Sequence, residues 1–190
     1  MRSNGGSALA GFAALALAAT PAVAVEPAEK FTLTSADIAP GGRIATAQVF
    51  KGFGCSGGNV YPALSWSHAP PGTQSFALLM HDPDAPTGSG WWHWVVYNLP
   101  SSTTSLPAGA GDAQKNLLPA GAVQGRTDFG TAGYGGPCPP PGKPHRYFLQ
   151  LYALKVPKLE LPADAAAALI GFNVHAQALG SAELMGLYGR

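Results

Sequence analysis

Apolar and polar residues alternate in short runs along this chain. Phe31–Ser35 alternates apolar and hydroxyl residues, and Arg43–Phe50 does so more loosely. Ser75–His81 is an apolar run that leads into the turn cluster Asp82-Pro83-Asp84-Ala85-Pro86. Trp92–Asn98 is aromatic and β-branched and is stopped by Pro100, and His145–Val156 is the longest run of this kind. Such runs, bounded by Gly, Pro, Asn and Asp, predict strands. Their close spacing predicts a mainly β sandwich or barrel. Ser101–Pro119 is small, polar and rich in Gly and Pro, and reads as a surface connection.

The C-terminal part has a different pattern. Pro162-Ala163-Asp164 followed by Ala165–Ile170 reads as a helix start with an acid in its first turn. Asn173–Leu179 reads as a second short helix, ended by Gly180. The two helices are expected to pack on the sheet or cover one end of it.

Composition supports the β reading. Of 190 residues 25 are Gly and 18 are Pro, 46% are hydrophobic and only 11% are charged. Gly and Pro disfavour helix interiors, which argues against a helix bundle. The hydrophobic content and a formal net charge of +1 argue against wholesale disorder. The same near-neutral balance argues against nucleic acid as a partner, because phosphate-backbone binding needs a basic surplus.

The N-terminus reads as a secretory signal peptide over residues 1–24. Arg2 precedes an apolar run from Ala8 to Ala19, and Ala22-Val23-Ala24 offers a small-x-small cleavage site. The run is shorter than the roughly 20 apolar residues that span a bilayer. Removing 24 of the 190 residues leaves 166, a single domain over 25–190 with acids and bases balanced at ten each. The product is expected to be periplasmic or secreted, without a transmembrane segment after cleavage. In such an oxidising compartment Cys55 and Cys138 read as a disulfide, with two free thiols as the alternative.

Candidate chemistry gathers at strand ends. Residues two apart share a strand face. Asp82 therefore falls on the face of Phe76, Leu78 and Met80, His93 with Val95 and Tyr97, and His145 and Tyr147 with Leu149 and Leu151. If those ends meet, a carboxylate and two imidazoles sit at the mouth of a cavity. The glycines of Gly133-Tyr134-Gly135-Gly136-Pro137 let backbone amides approach an anion. Imidazolium groups beside them suit phosphate or carboxylate. Asp84 reads either as a further ligand group or as the cap of its Asp-Pro turn. His81, His68 and His175 read as ordinary, and Trp91, Trp92 and Trp94 as core. A metal-assisted hydrolase built on His93, His145, Asp82 and Asp84 is the enzymatic alternative. No zinc spacing, nucleophile elbow or cofactor motif supports it. The expectation is therefore a binding protein with no catalytic residue and no cofactor.

Two motifs carry a family resemblance. Asp82-Pro83-Asp84-Ala85-Pro86-Thr87-Gly88-Ser89-Gly90-Trp91-Trp92-His93-Trp94 resembles the first signature of the phosphatidylethanolamine-binding proteins, also called Raf kinase inhibitor-like proteins. Gly133-Tyr134-Gly135-Gly136-Pro137-Cys138-Pro139-Pro140, followed by His145-Arg146-Tyr147, resembles the second. Gly52-Phe53-Gly54-Cys55 and Arg126-Thr127-Asp128-Phe129-Gly130 are similar to the bacterial branch. The resemblance implies a two-sheet β-sandwich-like fold with a small anion pocket at one end. It implies that Asp82, Pro86, His93, Gly136, Pro137, His145 and Tyr147 form that pocket, to which the Gly loop adds Gly135 and the turn adds Asp84. It also implies a phosphoryl head group as ligand, and a protein target such as a protease or kinase as the alternative partner.

Overall fold

The computed structural model describes residues 1–2, 5 and 29–190; the expected signal peptide lies almost entirely outside the described residues. The strands are, in chain order, β1 (Thr32–Ser35), β2 (Lys51–Gly52), β3 (Cys55–Ser56), β4 (Leu64–Ser67), β5 (Ser75–Asp82), β6 (Trp91–Pro100), β7 (Ser105–Leu106), β8 (Val123–Gln124), β9 (His145–Leu154) and β10 (Ala178–Tyr188). Among the described residues one helix forms, α1 (Ala167–Gln177), between the last two strands. A three-stranded sheet has the order β1-β4-β7 and a five-stranded sheet the order β10-β9-β5-β6-β8, while β2 and β3 form a separate hairpin. Every strand pairing is antiparallel.

The main core lies between the two sheets. Leu33, Leu64 and Trp66 of the small sheet pack with Leu78, Trp94 and Leu149 of the large one. The other face of the large sheet is covered by α1. Ala167, Ile170, Gly171 and Val174 are the buried residues of that helix. Their spacing of three, one and three places them on one side. They pack on Leu79, Val95 and Tyr152 in a second apolar cluster.

Three expectations need correction. The two short C-terminal helices are one helix, which begins at Ala167 rather than at Pro162. It runs through Gly171, which packs toward Leu79 and Trp92. Residues 178–188 are a strand, not a helix end, and Ala178 and Leu179 belong to it. Ala182, Leu184 and Gly186 alternate inward there, but a Cβ on Gly186 would lie 2.8 Å from Ile44 Cγ1, so a core position is filled by a glycine. The Arg43–Phe50 segment forms only an isolated bridge, Arg43 to Leu187, and a turn.

The face of His93 is also corrected. β6 pairs His81 with Trp92 and then Met80 with Trp94, so His93 is an extra residue in the ladder. Such a β-bulge reverses the alternation beyond it. Trp92 therefore packs on the helix side with Val95 and Tyr97, and Trp94 packs in the inter-sheet core with Val96. His93 is freed from the Val95 face and turned toward the ring of Tyr147, with ring centroids 5.1 Å apart.

Candidate functional site

The strand order β9-β5-β6 and antiparallel pairing set the C-terminal end of β5 between the N-terminal ends of β9 and β6. Asp82 ends β5, Trp91 begins β6 and His145 begins β9. These ends border a cavity of about 180 Å³. Asp82, His93, His145, Tyr147 and Pro86 line it, so the three strand ends do bring the carboxylate and both imidazoles together.

Each polar group there has defined partners. The Asp82 Oδ2 lies 2.8 Å from His145 Nδ1, and its Oδ1 accepts the Asp84 amide at 2.8 Å. Both carboxylate oxygens are thus engaged, and the carboxylate orients the His145 ring with Nε2 left without a protein partner. His93 Nδ1 lies 2.6 Å from the Gly135 carbonyl. A carbonyl only accepts, so Nδ1 carries a proton. Burial holds the His93 pKa down to about 4, against the opposing pull of the Gly135 carbonyl and of Asp82. The ring is therefore neutral at pH 7, and its unpartnered Nε2 is a hydrogen-bond acceptor. The Tyr147 hydroxyl is buried beside the Asp82 carboxylate and completes no hydrogen bond of regular geometry. Burial first, and then the Asp82 charge, push its pKa well above the usual phenol range. It is an unused donor at the cavity wall.

The remaining wall is apolar. Phe53, Trp91 and Phe129 line the cavity together with Cys138, Pro139 and Pro140. Phe53 stacks on Phe129 at 5.9 Å, and Trp91 meets the Phe129 ring edge-on at 5.4 Å. No lysine or arginine lines the cavity. Thr87 does, but its hydroxyl already donates to the Gly90 carbonyl. Cys55 and Cys138 are bonded, which ties the β2–β3 hairpin carrying Phe53 to the proline-rich wall. Among the described residues, no three His, Cys, Asp or Glu side chains are grouped so as to hold a metal ion.

The glycine loop has a different role from the one expected of it. The Gly135 amide donates to the His93 carbonyl and the Gly136 amide to Asn59 Oδ1, at 2.9 and 2.8 Å. Neither amide is free for an anion. Glycine is required there by close approach: a Cβ on Gly136 would lie 2.0 Å from the Gln48 carbonyl, and one on Gly135 would lie 2.3 Å from the Phe129 ring. Pro137 uses its carbonyl to accept the Phe50 amide and is not among the lining residues. Asp84 also stands outside the cavity. Its carboxylate accepts from Arg146 Nε and NH2 at 2.9 and 2.7 Å and from the Arg146 amide at 2.9 Å. These bonds from Arg146 hold its pKa down to about 2. It borders an adjoining groove with Lys143 and Pro144.

Sequence reasoning missed several residues that shape the site. Trp91 reads as core but lines the cavity. Its position two residues before His93, just after the Gly88-Ser89-Gly90 turn, is the signal that marks it. Phe53 and Phe129 stand in the quoted motifs without an assigned role. Asn59 carries no motif at all. Of the other histidines, His81 donates to the Ser89 carbonyl and packs on Trp92, and His68 pairs with Glu29.

Comparison with known proteins agrees with this architecture. The chain is 50% identical over 162 residues to the UPF0098 protein YbcL of Escherichia coli K12, covering 85% of this chain and 88% of that protein. It is 37% identical over 172 residues to LppC of Mycobacterium tuberculosis, named a lipoprotein, covering 90% of this chain and 77% of that one. The crystal structure of Escherichia coli YbcL, described as a member of the mammalian PEBP family, superposes with a TM-score of 0.83 at 49% identity, covering 85% of this chain and 99% of that one. The family model for phosphatidylethanolamine-binding protein matches residues 34–189. With its two-sheet fold and with both signature segments meeting at one cavity, this chain belongs to the phosphatidylethanolamine-binding protein family.

Proposed function

We propose that the cavity binds the phosphoryl group of a small head group such as phosphoethanolamine, and that the protein binds this ligand rather than transforming it. The observation that carries the reading is the Tyr147 hydroxyl, buried and completing no hydrogen bond of regular geometry beside the Asp82–His145 pair. A buried donor left unsatisfied costs roughly 1–3 kcal/mol, which a ligand oxygen offsets. His145, oriented by Asp82, presents its Nε2 as a further polar contact. The rings of Phe53, Trp91 and Phe129 suit the organic part of the ligand. The cavity offers no activated nucleophile: the Thr87 hydroxyl is already used and the Cys138 sulfur is in a disulfide. The binding energy then comes from a few polar contacts in a small site, and affinity is expected at about millimolar.

The protein acts, in this reading, in the cell envelope or outside the cell. The disulfide supports an oxidising compartment. The lipoprotein name of the LppC relative supports an envelope role. No helix among the described residues is long and apolar enough to cross a membrane. Intact mass of the protein recovered from a periplasmic fraction tests export, with cleavage after Ala24 as the expected result.

Ligand binding is tested by calorimetric or NMR titration of the chain with phosphoethanolamine. The expected result is saturable binding that weakens at least tenfold in His145→Ala, since a hydrogen bond to a charged group contributes about 1.5–3 kcal/mol. Equal binding by both proteins, or none by either, removes the reading.

A further inference from the structure

The cavity has an unusual balance of donors and acceptors for an anion site. It holds one carboxylate, Asp82, and no lysine or arginine. Its available donors are the Tyr147 hydroxyl and His145, and the glycine-loop amides are already committed. His93 Nδ1 is bound to the Gly135 carbonyl, so the nitrogen left over is an acceptor unless the ring takes up a second proton. An oxyanion without a hydrogen would set its lone pairs against that nitrogen and its charge against Asp82. An oxyanion that still carries one hydrogen donates it to His93 and accepts from Tyr147 and His145. A buried acceptor facing a ligand with no hydrogen to give is a strong source of rejection, because neither partner is then solvated.

Resting on the phosphoryl-binding reading, we propose that His93 makes the cavity selective for a singly protonated phosphomonoester and against oxyanions that carry no proton, such as sulfate esters and sulfonates. A phosphomonoester loses its last proton near pH 6. Its hydrogen-bearing form is thus abundant at mildly acidic pH, whereas a sulfate ester lacks such a hydrogen throughout this range.

The ionisable groups around His93 are Asp82 and His81 on β5 and His145 and Tyr147 on β9, while α1 and the Gly loop bring none against the ring. Asp82 is already paired with His145. Burial of the ring opposes its protonation, which keeps the acceptor in place above mildly acidic pH. His145 lines the same cavity, so its contribution must be told apart from that of His93. A pair of ligands that differ only in the acidic hydrogen separates them, because both meet His145 in the same way.

The test compares phosphoethanolamine with ethanolamine O-sulfate on the whole protein at pH 5.5 and at pH 8. At pH 5.5 both acidic groups carry mainly one negative charge, and only the phosphate has a hydrogen to donate. Phosphoethanolamine is expected to bind at least tenfold more tightly than the sulfate ester at pH 5.5, and to lose more than tenfold in affinity by pH 8. His93→Gln, which can present an amide N–H in place of the acceptor, is expected to narrow the preference to threefold or less. Sulfate ester bound within twofold of phosphoethanolamine at pH 5.5 overturns the selectivity and leaves the phosphoryl-binding reading standing. Binding of neither ligand overturns both. The comparison of the two ligands on the unmodified protein remains decisive even where His93→Gln does not fold.

Discussion

Asn59 holds Gly136 in place: its Oδ1 accepts the Gly136 amide at 2.8 Å while its Nδ2 donates to the neighbouring Tyr134 carbonyl at 3.1 Å. One side chain thus clamps the loop whose Gly135 carbonyl holds His93 Nδ1. The clamp works because Gly136 passes directly over the Gln48 and Phe50 backbone, where a Cβ would lie 2.0 Å from one oxygen and 2.7 Å from one nitrogen. Gly136→Ala is therefore expected to destabilise the fold by about 3 kcal/mol, at the upper end of overpacking costs, since backbone cannot move aside as a side chain can. Urea denaturation checks this, and a loss below about 1 kcal/mol contradicts it.

Tyr147→Phe separates binding from stability. The hydroxyl completes no hydrogen bond of regular geometry within the protein, so its removal is expected to leave stability unchanged or to raise it by up to about 1 kcal/mol. Affinity for phosphoethanolamine is expected to fall about tenfold. Thermal melts and ligand titration of the same preparation provide both readings. A strongly destabilised variant means that the hydroxyl has a structural partner instead.

Much of this site was legible in the sequence because strand ends announce themselves. The run into Asp82-Pro83 and the apolar alternation from His145 to Leu151 place Asp82, His145 and Tyr147 on the cavity side, as the structure does. The alternation puts His93 on the wrong face because a single extra residue in a ladder leaves no mark in composition or periodicity. The Gly135-Gly136 pair suggested free amides, since a glycine needed for close packing looks the same as one needed for ligand approach. β10 was unreadable for a related reason: its inward position 186 is filled by a glycine, which erases the alternation that identifies a strand. Asn59 acts across 77 residues on Gly136, and no local pattern reports so distant a contact.

Acid should weaken the fold through His93. Its pKa is about 4 in the folded protein against 6.5 for a free side chain, so the unfolded chain binds more protons between those values. The stabilisation is complete above pH 6.5 and is lost as pH falls toward 4, by up to about 3 kcal/mol. Unfolding free energies at pH 7.5, 5.5 and 4.5 are expected to show this slope in the parent protein and a shallower one in His93→Gln. Parallel slopes in the two proteins count against it.

Asp84 is expected to be dispensable for a small ligand. Its carboxylate is committed to Arg146 outside the cavity, and Asp84→Asn should leave phosphoethanolamine affinity within about twofold of the parent. The low pKa of Asp84 means that the ion pair persists above about pH 4 and is lost only as pH falls toward 2. A tenfold loss of affinity in Asp84→Asn would place the ligand in the groove beside Lys143 instead.

The disulfide should contribute to both stability and site shape. It closes a span of 83 residues, and replacing both cysteines with alanine is expected to cost about 4 kcal/mol on the chain-entropy scale. Because Cys138 lines the cavity and the bond ties down the hairpin that carries Phe53, ligand affinity should fall as well. Chemical denaturation and ligand titration of the double variant check the two effects separately.

The bulge at His93 separates the reading frame of the cavity end of β6 from that of the residues after it. Residues 91–93 are set by what the cavity must hold, and residues 94–99 by what the two apolar layers must fill. Without the extra residue, any change that re-aimed the histidine would also exchange Trp94 and Val95 between layers. With it, a lineage can vary Trp91 or His93 and try new ligands while Trp94 stays where it is. The strand end before the bulge is therefore a natural place to engineer a different specificity while the layers beyond it stay packed.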